Sequence, residues 1–396
     1  MEREDQGRIR VAVLLSSGEQ FSAYFGGALA RWTYEVYRGL ASQVDAQVFG
    51  FPTAPADRYP LSHATSSASV ICRAMAQIPL LRRYEEEVWL RALLRRLRVF
   101  DVIHIHNRPQ WIHLLRHLGY QGALVLHLQN DHLGHWSTVM LDELAGQLES
   151  VAVCSGYLRD TFASRSSAIA SKTRVVFNGV NPEVFSPREE TRQSKTIFFV
   201  GRFESEKGVM QLVQAFARVL GTHGDARLVI GGATGFGTHQ ETPYVREVRA
   251  QAARLIECHP GCIEFVGYLH HDRDLPGWFQ KATIFACPSL FQEPFGLVNA
   301  EAMACGTPVV GSNRGGIPEV LGDAGILVDP NDTNGFADEL SRLLAQPERR
   351  AQLGNVGLKR VRERFDWQVI GRDWTALLAD ANAARRSEMS RNQLAM

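Results

Sequence analysis

Thr196-Ile197-Phe198-Phe199-Val200-Gly201-Arg202-Phe203-Glu204-Ser205-Glu206-Lys207-Gly208 is the stretch on which the fold turns. Its first half, β-branched and aromatic, predicts a short buried strand, and apolar residues at helical spacing follow over 209–220. A strand passing through a glycine turn into a helix opens a strand–helix–strand unit. The same alternation recurs on both sides. Downstream it predicts strands over 227–230, 263–266, 283–286, 308–311 and 326–328, with helices over 244–258 and 297–304. Upstream it predicts strands over 9–15, 46–51, 101–106, 123–129, 151–155 and 174–178, with helices over 27–40, 80–98 and 138–148. Two successive parallel sets predict an α/β protein of two Rossmann-like doubly wound domains facing across a cleft.

The length of 396 residues fits two cores better than one. Asn181-Pro182, Ser186-Pro187 and the polar run 188–195 read as the boundary, which gives a first domain over 1–182, a linker over 183–195 and a second domain over 196–365. The remainder, 366–396, reads as a helix over 367–379, placed to pack back on the first domain, and a polar, mobile end.

Hydrophobic residues make up 45% and charged residues 21%, which excludes wholesale disorder and a coiled-coil rod. Lysine and arginine number 43 against 42 acidic residues, too even a balance for a chain whose main ligand is nucleic acid. No apolar run is long enough to span a bilayer, and residues 1–10 are charged where a signal peptide needs an apolar core. The six scattered cysteines read as reduced, buried thiols, and the expected location is the cytoplasm.

Four loops carry candidate chemistry. In the first, Arg202 and Lys207 can converge on one anion behind the Gly201 turn, a fork and a point charge suited to phosphate oxygens. Two solvated surface cations are the competing reading. The second is Glu293-Pro294-Phe295-Gly296-Leu297-Val298-Asn299-Ala300-Glu301. There Pro294 and Gly296 delay a helix start whose free N–H groups attract anions, and Glu301 could accept from a vicinal diol. An ordinary amphipathic helix with one buried capping carboxylate is the competing reading. The third loop, Gly311 to Glu319, and the fourth, Tyr24-Phe25-Gly26-Gly27, also place glycines after strands, without a phosphate-loop lysine.

Gly201-Arg202…Lys207-Gly208, Glu293-Pro294-Phe295-Gly296…Glu301-Ala302-Met303-Ala304, Gly306-Thr307-Pro308-Val309-Val310 and Gly315-Gly316-Ile317-Pro318-Glu319 resemble the retaining family-4 glycosyltransferases of GT-B fold. The resemblance covers about residues 175–330 closely. In the first half its echoes are Gly26-Gly27 and 101–106. It implies a hexose-type sugar moved from a nucleoside diphosphate, UDP by family frequency, to a hydroxyl acceptor on a glycan, a lipid-linked glycan or a small natural product. By position, Arg202 and Lys207 would bind the diphosphate after Gly201, and Glu301 the ribose. Glu293 would hold the donor sugar with Pro294, Phe295, Gly296, Leu297 and Val298. Gly26 and Gly27 would cover the diphosphate, and Val266, Tyr268 and Leu269 would line the base pocket. No cofactor or metal is implied, the nucleotide sugar being a substrate.

Relatives place a sugar-contacting histidine at a strand end of the first domain. Here the segment reads Leu126-His127-Leu128-Gln129-Asn130-Asp131-His132, so His127 or Gln129 takes that position, with His132 and His135 close by. His104, His106, Asn107 and Arg108 end another strand and are candidates for donor or acceptor contact. Asp272-Arg273-Asp274 mimics a metal-binding pair but reads as capping carboxylates of a helix over 275–281. The segment 232–239 is a candidate lid or an inert loop. The basic, amphipathic stretch from Arg82 to Arg98 suits weak contact with a membrane surface at the inner face, against the ordinary reading of a core-facing helix. Two other functions stay open: a nucleotide-sugar epimerase or phosphorylase on the same fold, and a non-catalytic nucleotide-sugar-binding subunit.

Overall fold

The computed structural model describes residues 7–16, 19–22, 27–50, 57–65, 72, 74–75, 77–78, 84–188, 193–234 and 241–394. The chain divides into two compact units, Met1–Asn178 with Trp367–Met396, and Gly179–Asp366. In the first unit seven parallel strands, β1 (Ile9–Leu14), β2 (Val44–Phe49), β3 (His63–Ala64), β4 (Val102–His106), β5 (Ala123–Leu128), β6 (Ser150–Val153) and β7 (Thr173–Val175), lie in the order β3-β2-β1-β4-β5-β6-β7. In the second, β8 (Thr196–Val200), β9 (Arg227–Gly231), β10 (Ile263–Gly267), β11 (Ile284–Cys287), β12 (Val309–Ser312) and β13 (Gly325–Val328) lie in the order β10-β9-β8-β11-β12-β13. Both orders are doubly wound. Each reverses at one switch point, between β1 and β4 and between β8 and β11, where a crevice opens at the carboxyl ends.

Burial explains the strand signals. Val102, Ile103 and Ile105 of β4 and Ala123 to Leu128 of β5 are buried on both faces, which is why they read as continuous apolar runs rather than alternations. The extra strand, His63–Ala64, is a two-residue edge on β2 and too short to leave a pattern.

One expectation changes, and two other stretches take a definite place. The helix at the chain's end runs Trp367–Leu394 rather than fraying after 379. Ile370, Trp374, Leu377, Leu378 and Ala381 bury one stripe of it in the first unit's core with Trp32, Val36 and Tyr37. Beyond that stripe, Arg385 Nε donates to the Gln121 carbonyl (2.6 Å) and keeps the polar end helical. Next, the basic stretch forms the helix Glu85–Leu97, whose Trp89, Leu90, Leu93 and Leu97 are buried, so its apolar side is spent on the core; Arg82 and Arg83 lie outside the described residues. Finally, part of the boundary stretch packs on the second unit. Phe185 is buried against Phe279, the Val180 N–H donates to Phe365 O (2.7 Å), and Gln280 Nε2 donates to Ser186 O (2.9 Å).

Candidate functional site

The switch point of the second unit lies between the loops that follow β8 and β11, and those loops carry the two strongest sequence motifs. Gly208 takes a left-handed conformation (φ 72°) at the head of the helix Val209–Thr222, and a Cβ there would lie 2.0 Å from Pro288 O. Only glycine permits that approach. The approach ties the two loops together: the N–H groups of Leu290 and Phe291 donate to Glu206 O at 2.8 and 3.1 Å.

Across this junction Lys207 Nζ forms an ion pair with Glu293 Oε1, both side chains being largely enclosed (17% and 16% exposed). Ser289 Oγ donates to the same carboxylate oxygen (3.0 Å), and the Lys207 ammonium stands 5.6 Å from the Phe291 ring centre. Glu293 is fixed by its backbone as well. Gly316 N–H donates to Glu293 O (2.7 Å), while Gly315 (φ 57°) could carry no Cβ, since one would meet Glu293 O at 2.2 Å. The glycine pair after β12 therefore serves to seat Glu293. Arg202 is placed differently. Half exposed, it donates to Glu204 (2.8 Å) and Glu206 (3.2 Å), so the two cations are held by separate carboxylates.

Glu301 is 2% exposed on the helix Leu297–Ala304, which starts at left-handed Gly296 (φ 83°). Its Oε1 lies 2.6 Å from His271 Nε2, whose other nitrogen meets Asp272 Oδ1 at 2.7 Å. Glu301 Oε2 is buried without a hydrogen-bond partner among the described residues. A buried carboxylate oxygen with no donor is costly, and a ligand hydroxyl would satisfy it. Phe295 packs edge-on to Phe365 (5.5 Å); Pro294 to Gly296 lead into this helix, and Leu297 and Val298 open it. The ends of β8, β9 and β10 close up through glycines: Gly232 N–H donates to Gly267 O (2.7 Å), and a Cβ on Gly232 would sit 1.8 Å from Gly201 O. Beside them Val266 is half-buried, Tyr268 is 43% exposed, and Leu269 reaches within 2.8 Å of a Cβ built on Gly231. Cys287, at the end of β11, is buried and its thiol is pushed up to about 12, by burial first and the Glu293 charge second, so it is not a nucleophile.

In the first unit Gly26 lies outside the described residues. Gly27 N–H donates to Glu19 Oε1 (2.7 Å), which also accepts from Ala30 N–H (3.1 Å), so a carboxylate of the chain itself meets the helix start. Burial raises the Glu19 pKa, and the two N–H groups oppose that.

His127 is not at the surface. It is wholly buried with His104 and His106 under Trp32 and Trp374, which corrects its assignment as a sugar-contacting catalytic group. The strand alternates, and the helices Ala28–Arg38 and Trp367–Leu394 cover the face on which 127 falls. Burial holds His106 at about 3 and drives His104 and His127 well below the ordinary imidazole value, so all three are neutral. Gln129, past the end of β5, is half-buried and is the member of this pair at the rim. Asn107 is also buried, and Arg108 is bound to Glu86.

Among the described residues, His104, His106 and His127 are the one group of ligating side chains close enough to hold a metal ion. Asp272 and Asp274 form no such pair. Asp274 accepts from Arg273 and from the His270 N–H (3.0 Å) and does not cap the following helix with its side chain, a correction to the capping expectation. The segment 235–239 of the candidate lid lies outside the described residues. His271, Ser289, Phe291 and Glu19 went unnoticed in the sequence. Only His271 had a signal, an ionisable residue in the loop right after the predicted base-lining segment.

Comparison with known proteins gives two family matches: Glycosyltransferase Family 4 over residues 25–184 and Glycosyl transferases group 1 over 181–360. The chain is 30% identical over 312 residues to the spore coat protein SA of Bacillus subtilis, covering 73% of this chain and 80% of that one. Over 244 residues it is 34% identical to the alpha-maltose-1-phosphate synthase of Mycolicibacterium smegmatis, 56% of this chain and 60% of that one. Among solved structures, the sucrose-phosphate synthase of Thermosynechococcus elongatus matches with a TM-score of 0.75 at 23% identity, over 95% of this chain and all of that one. Anabaena HepE in complex with UDP-glucose matches with a TM-score of 0.70 at 20% identity, over 95% and 100% of the two chains.

Proposed function

The chain belongs to glycosyltransferase family 4, with the GT-B fold and nucleotide-sugar donors of that family, and on this premise we propose that it is a retaining hexosyltransferase that uses a UDP-sugar and a hydroxyl acceptor. The observation that carries the proposal is the Lys207–Glu293 pair over the switch point of the second unit. An ammonium already enclosed there needs little reorganisation to meet the charge that builds on a departing diphosphate. As the phosphate takes Lys207, Glu293 is released to accept from hydroxyls of the donor sugar. Glu301 supports the nucleotide half, because its partnerless Oε2 is what a ribose hydroxyl would occupy. Arg202 closes on the diphosphate by leaving Glu204 and Glu206.

No carboxylate is placed as a nucleophile in this scheme, so the two-carboxylate route is set aside. Attack from the leaving-group face, with the departing phosphate taking the acceptor proton, accounts for retention. Titrating the protein with UDP, GDP and ADP and their glucose esters in a thermal-shift assay tests the nucleotide, since stabilisation grows with the logarithm of ligand concentration over Kd. UDP-glucose, bound by one structural neighbour, is the first donor to try. No stabilisation by any of the three families of nucleotide rejects the proposal.

The burial of His127 favours one rival, a subunit that binds nucleotide sugars without transferring them. Its mark is donor binding with no turnover across a panel of acceptors. An epimerised sugar with an intact diphosphate, after incubation of donor alone, would point instead to an isomerase.

A further inference from the structure

Four buried polar side chains of the first unit connect the C-terminal helix to the rim. Trp374 Nε1 lies 3.0 Å from Tyr37 OH, Tyr37 OH 3.1 Å from His104 Nδ1, and His104 Nε2 3.3 Å from His127 Nδ1. His127 Nε2 is 2.7 Å from the Gln129 side-chain amide. Trp374, Tyr37, His104 and His127 are all essentially solvent-free, so every proton in the series must find an acceptor within it.

That requirement gives the series a direction. An indole N–H only donates, so Tyr37 oxygen accepts from Trp374. The Tyr37 hydroxyl proton has one remaining acceptor among the described residues, His104 Nδ1. His104 is neutral and therefore carries its proton on Nε2, from which it donates to His127 Nδ1. His127, neutral too, carries its own on Nε2 and donates to Gln129. Two donors cannot face each other, so the amide turns its Oε1 to the ring by a half rotation and leaves its –NH2 pointing away from it.

The backbone of Gln129 is also held. Its N–H donates to Asn107 Oδ1 (2.8 Å), and its carbonyl accepts from Cys154 Sγ (3.7 Å). Asn107 itself sits at φ 50°, unusual for a residue other than glycine, with its N–H on His127 O (2.9 Å).

We propose that the buried series Trp374–Tyr37–His104–His127 is a positioning device which fixes the Gln129 amide so that it offers only hydrogen-bond donors at the carboxyl end of β5, toward a hydroxyl or ring oxygen of the sugar. The four residues touch no substrate and act through Gln129. This use of Gln129 rests on the transferase reading above.

Selective 15N-histidine labelling of the intact chain tests the direction. Long-range 15N–1H spectra from pH 6 to 8 should show His104 and His127 neutral with the proton on Nε2 in both. A proton on Nδ1 of either ring overturns the proposal, as does protonation of either in that range. Loss of the shared-proton signal on adding one equivalent of zinc also overturns it, and makes the cluster a metal site.

Function is read separately by UDP release from UDP-glucose. Tyr37→Phe keeps the ring and removes the relaying hydroxyl, and should lower kcat roughly tenfold or more with KM for UDP-glucose nearly unchanged. Gln129→Glu, which replaces the outward donors with an acceptor, should lose at least as much, and Gln129→Asn should not restore it. A Tyr37→Phe enzyme with the parent kcat and an unaltered His127 tautomer overturns the positioning role. If Gln129→Ala runs at the parent rate while the parent tautomers are as stated, the series exists but the sugar contact fails. If UDP-glucose neither binds nor turns over in the parent protein, it is the transferase reading that has failed.

Discussion

The two switch points of this molecule handle polar groups in opposite ways. In the second unit, Lys207, Glu293, Arg202, Glu204 and Glu206 are charged and paired with one another, the first two largely enclosed and the other three open to solvent. In the first, the strands that end beside the switch carry histidines that are neutral, wholly buried and connected by single hydrogen bonds. A charged pair can exchange its partner for a phosphate because the cation faces an anion in both states. A buried neutral series cannot exchange anything without leaving a donor or acceptor unsatisfied. The first kind of site is suited to taking up and releasing an ion, the second to holding one orientation.

The largest effect that would sharpen this contrast is expected at Lys207. Lys207→Ala should lower kcat for donor turnover by about a hundredfold to a thousandfold, the usual loss on removing a preorganised stabiliser of developing charge. Arg202→Ala, at an exposed side chain already shared between two carboxylates, should cost about tenfold or less. Steady-state kinetics of the two variants decides, and equal losses would erase the distinction between an enclosed and a solvated cation.

Next comes Glu301→Ala, for which calorimetry should show UDP binding weakened by about ten- to a hundredfold, the worth of a charge-assisted hydrogen bond in a dry place. His271→Ala leaves Oε2 in place and should weaken it less. A Glu301→Ala protein that binds UDP as the parent does would remove the ribose role.

Acid should separate the two units in another way. His106 titrates at about 3 in the folded chain and near 6.5 when unfolded, so between those values the unfolded state binds more protons. Stability is therefore flat above about pH 6.5 and falls as pH drops through that window, by up to ~1.4 kcal/mol per pH unit for each such ring. Denaturant titrations from pH 7 to 4, followed by tryptophan emission, should show this loss, and His106→Leu should reduce it. A curve flat down to pH 4.5 would mean that the rings are not the buried neutral groups described.

The smallest effect is expected at the chain's end. Arg385→Ala removes the bond to the Gln121 carbonyl and should cost about 1 kcal/mol, seen as faster amide exchange after residue 385 while Trp374 stays protected.

Much of the second unit was readable in advance. Its six strands fall within a residue or two of the predicted spans, since a buried parallel strand is a run of apolar residues whatever it packs against. The Gly201–Gly208 and Glu293–Glu301 motifs were legible because their glycines are required by local geometry, as the left-handed φ of Gly208 and Gly296 shows. The partners were not legible. Nothing in the sequence says that Lys207 rests on Glu293, or that His271 leans on Glu301, because 86 and 30 residues separate those pairs and sheet order alone brings them together.

The same reason divides what the chain declares from what its folding decides. Strand and helix periods, the even charge and the glycine turns are properties of neighbours along the chain, and they determined a pair of doubly wound units with a glycine-bounded loop carrying Arg202 and Lys207 after the first strand of the second. Whether a strand residue faces water or a covering helix depends on elements far away in sequence. For His127 it was the helix Trp367–Leu394, more than two hundred residues downstream, that sealed the face and left the rim to Gln129.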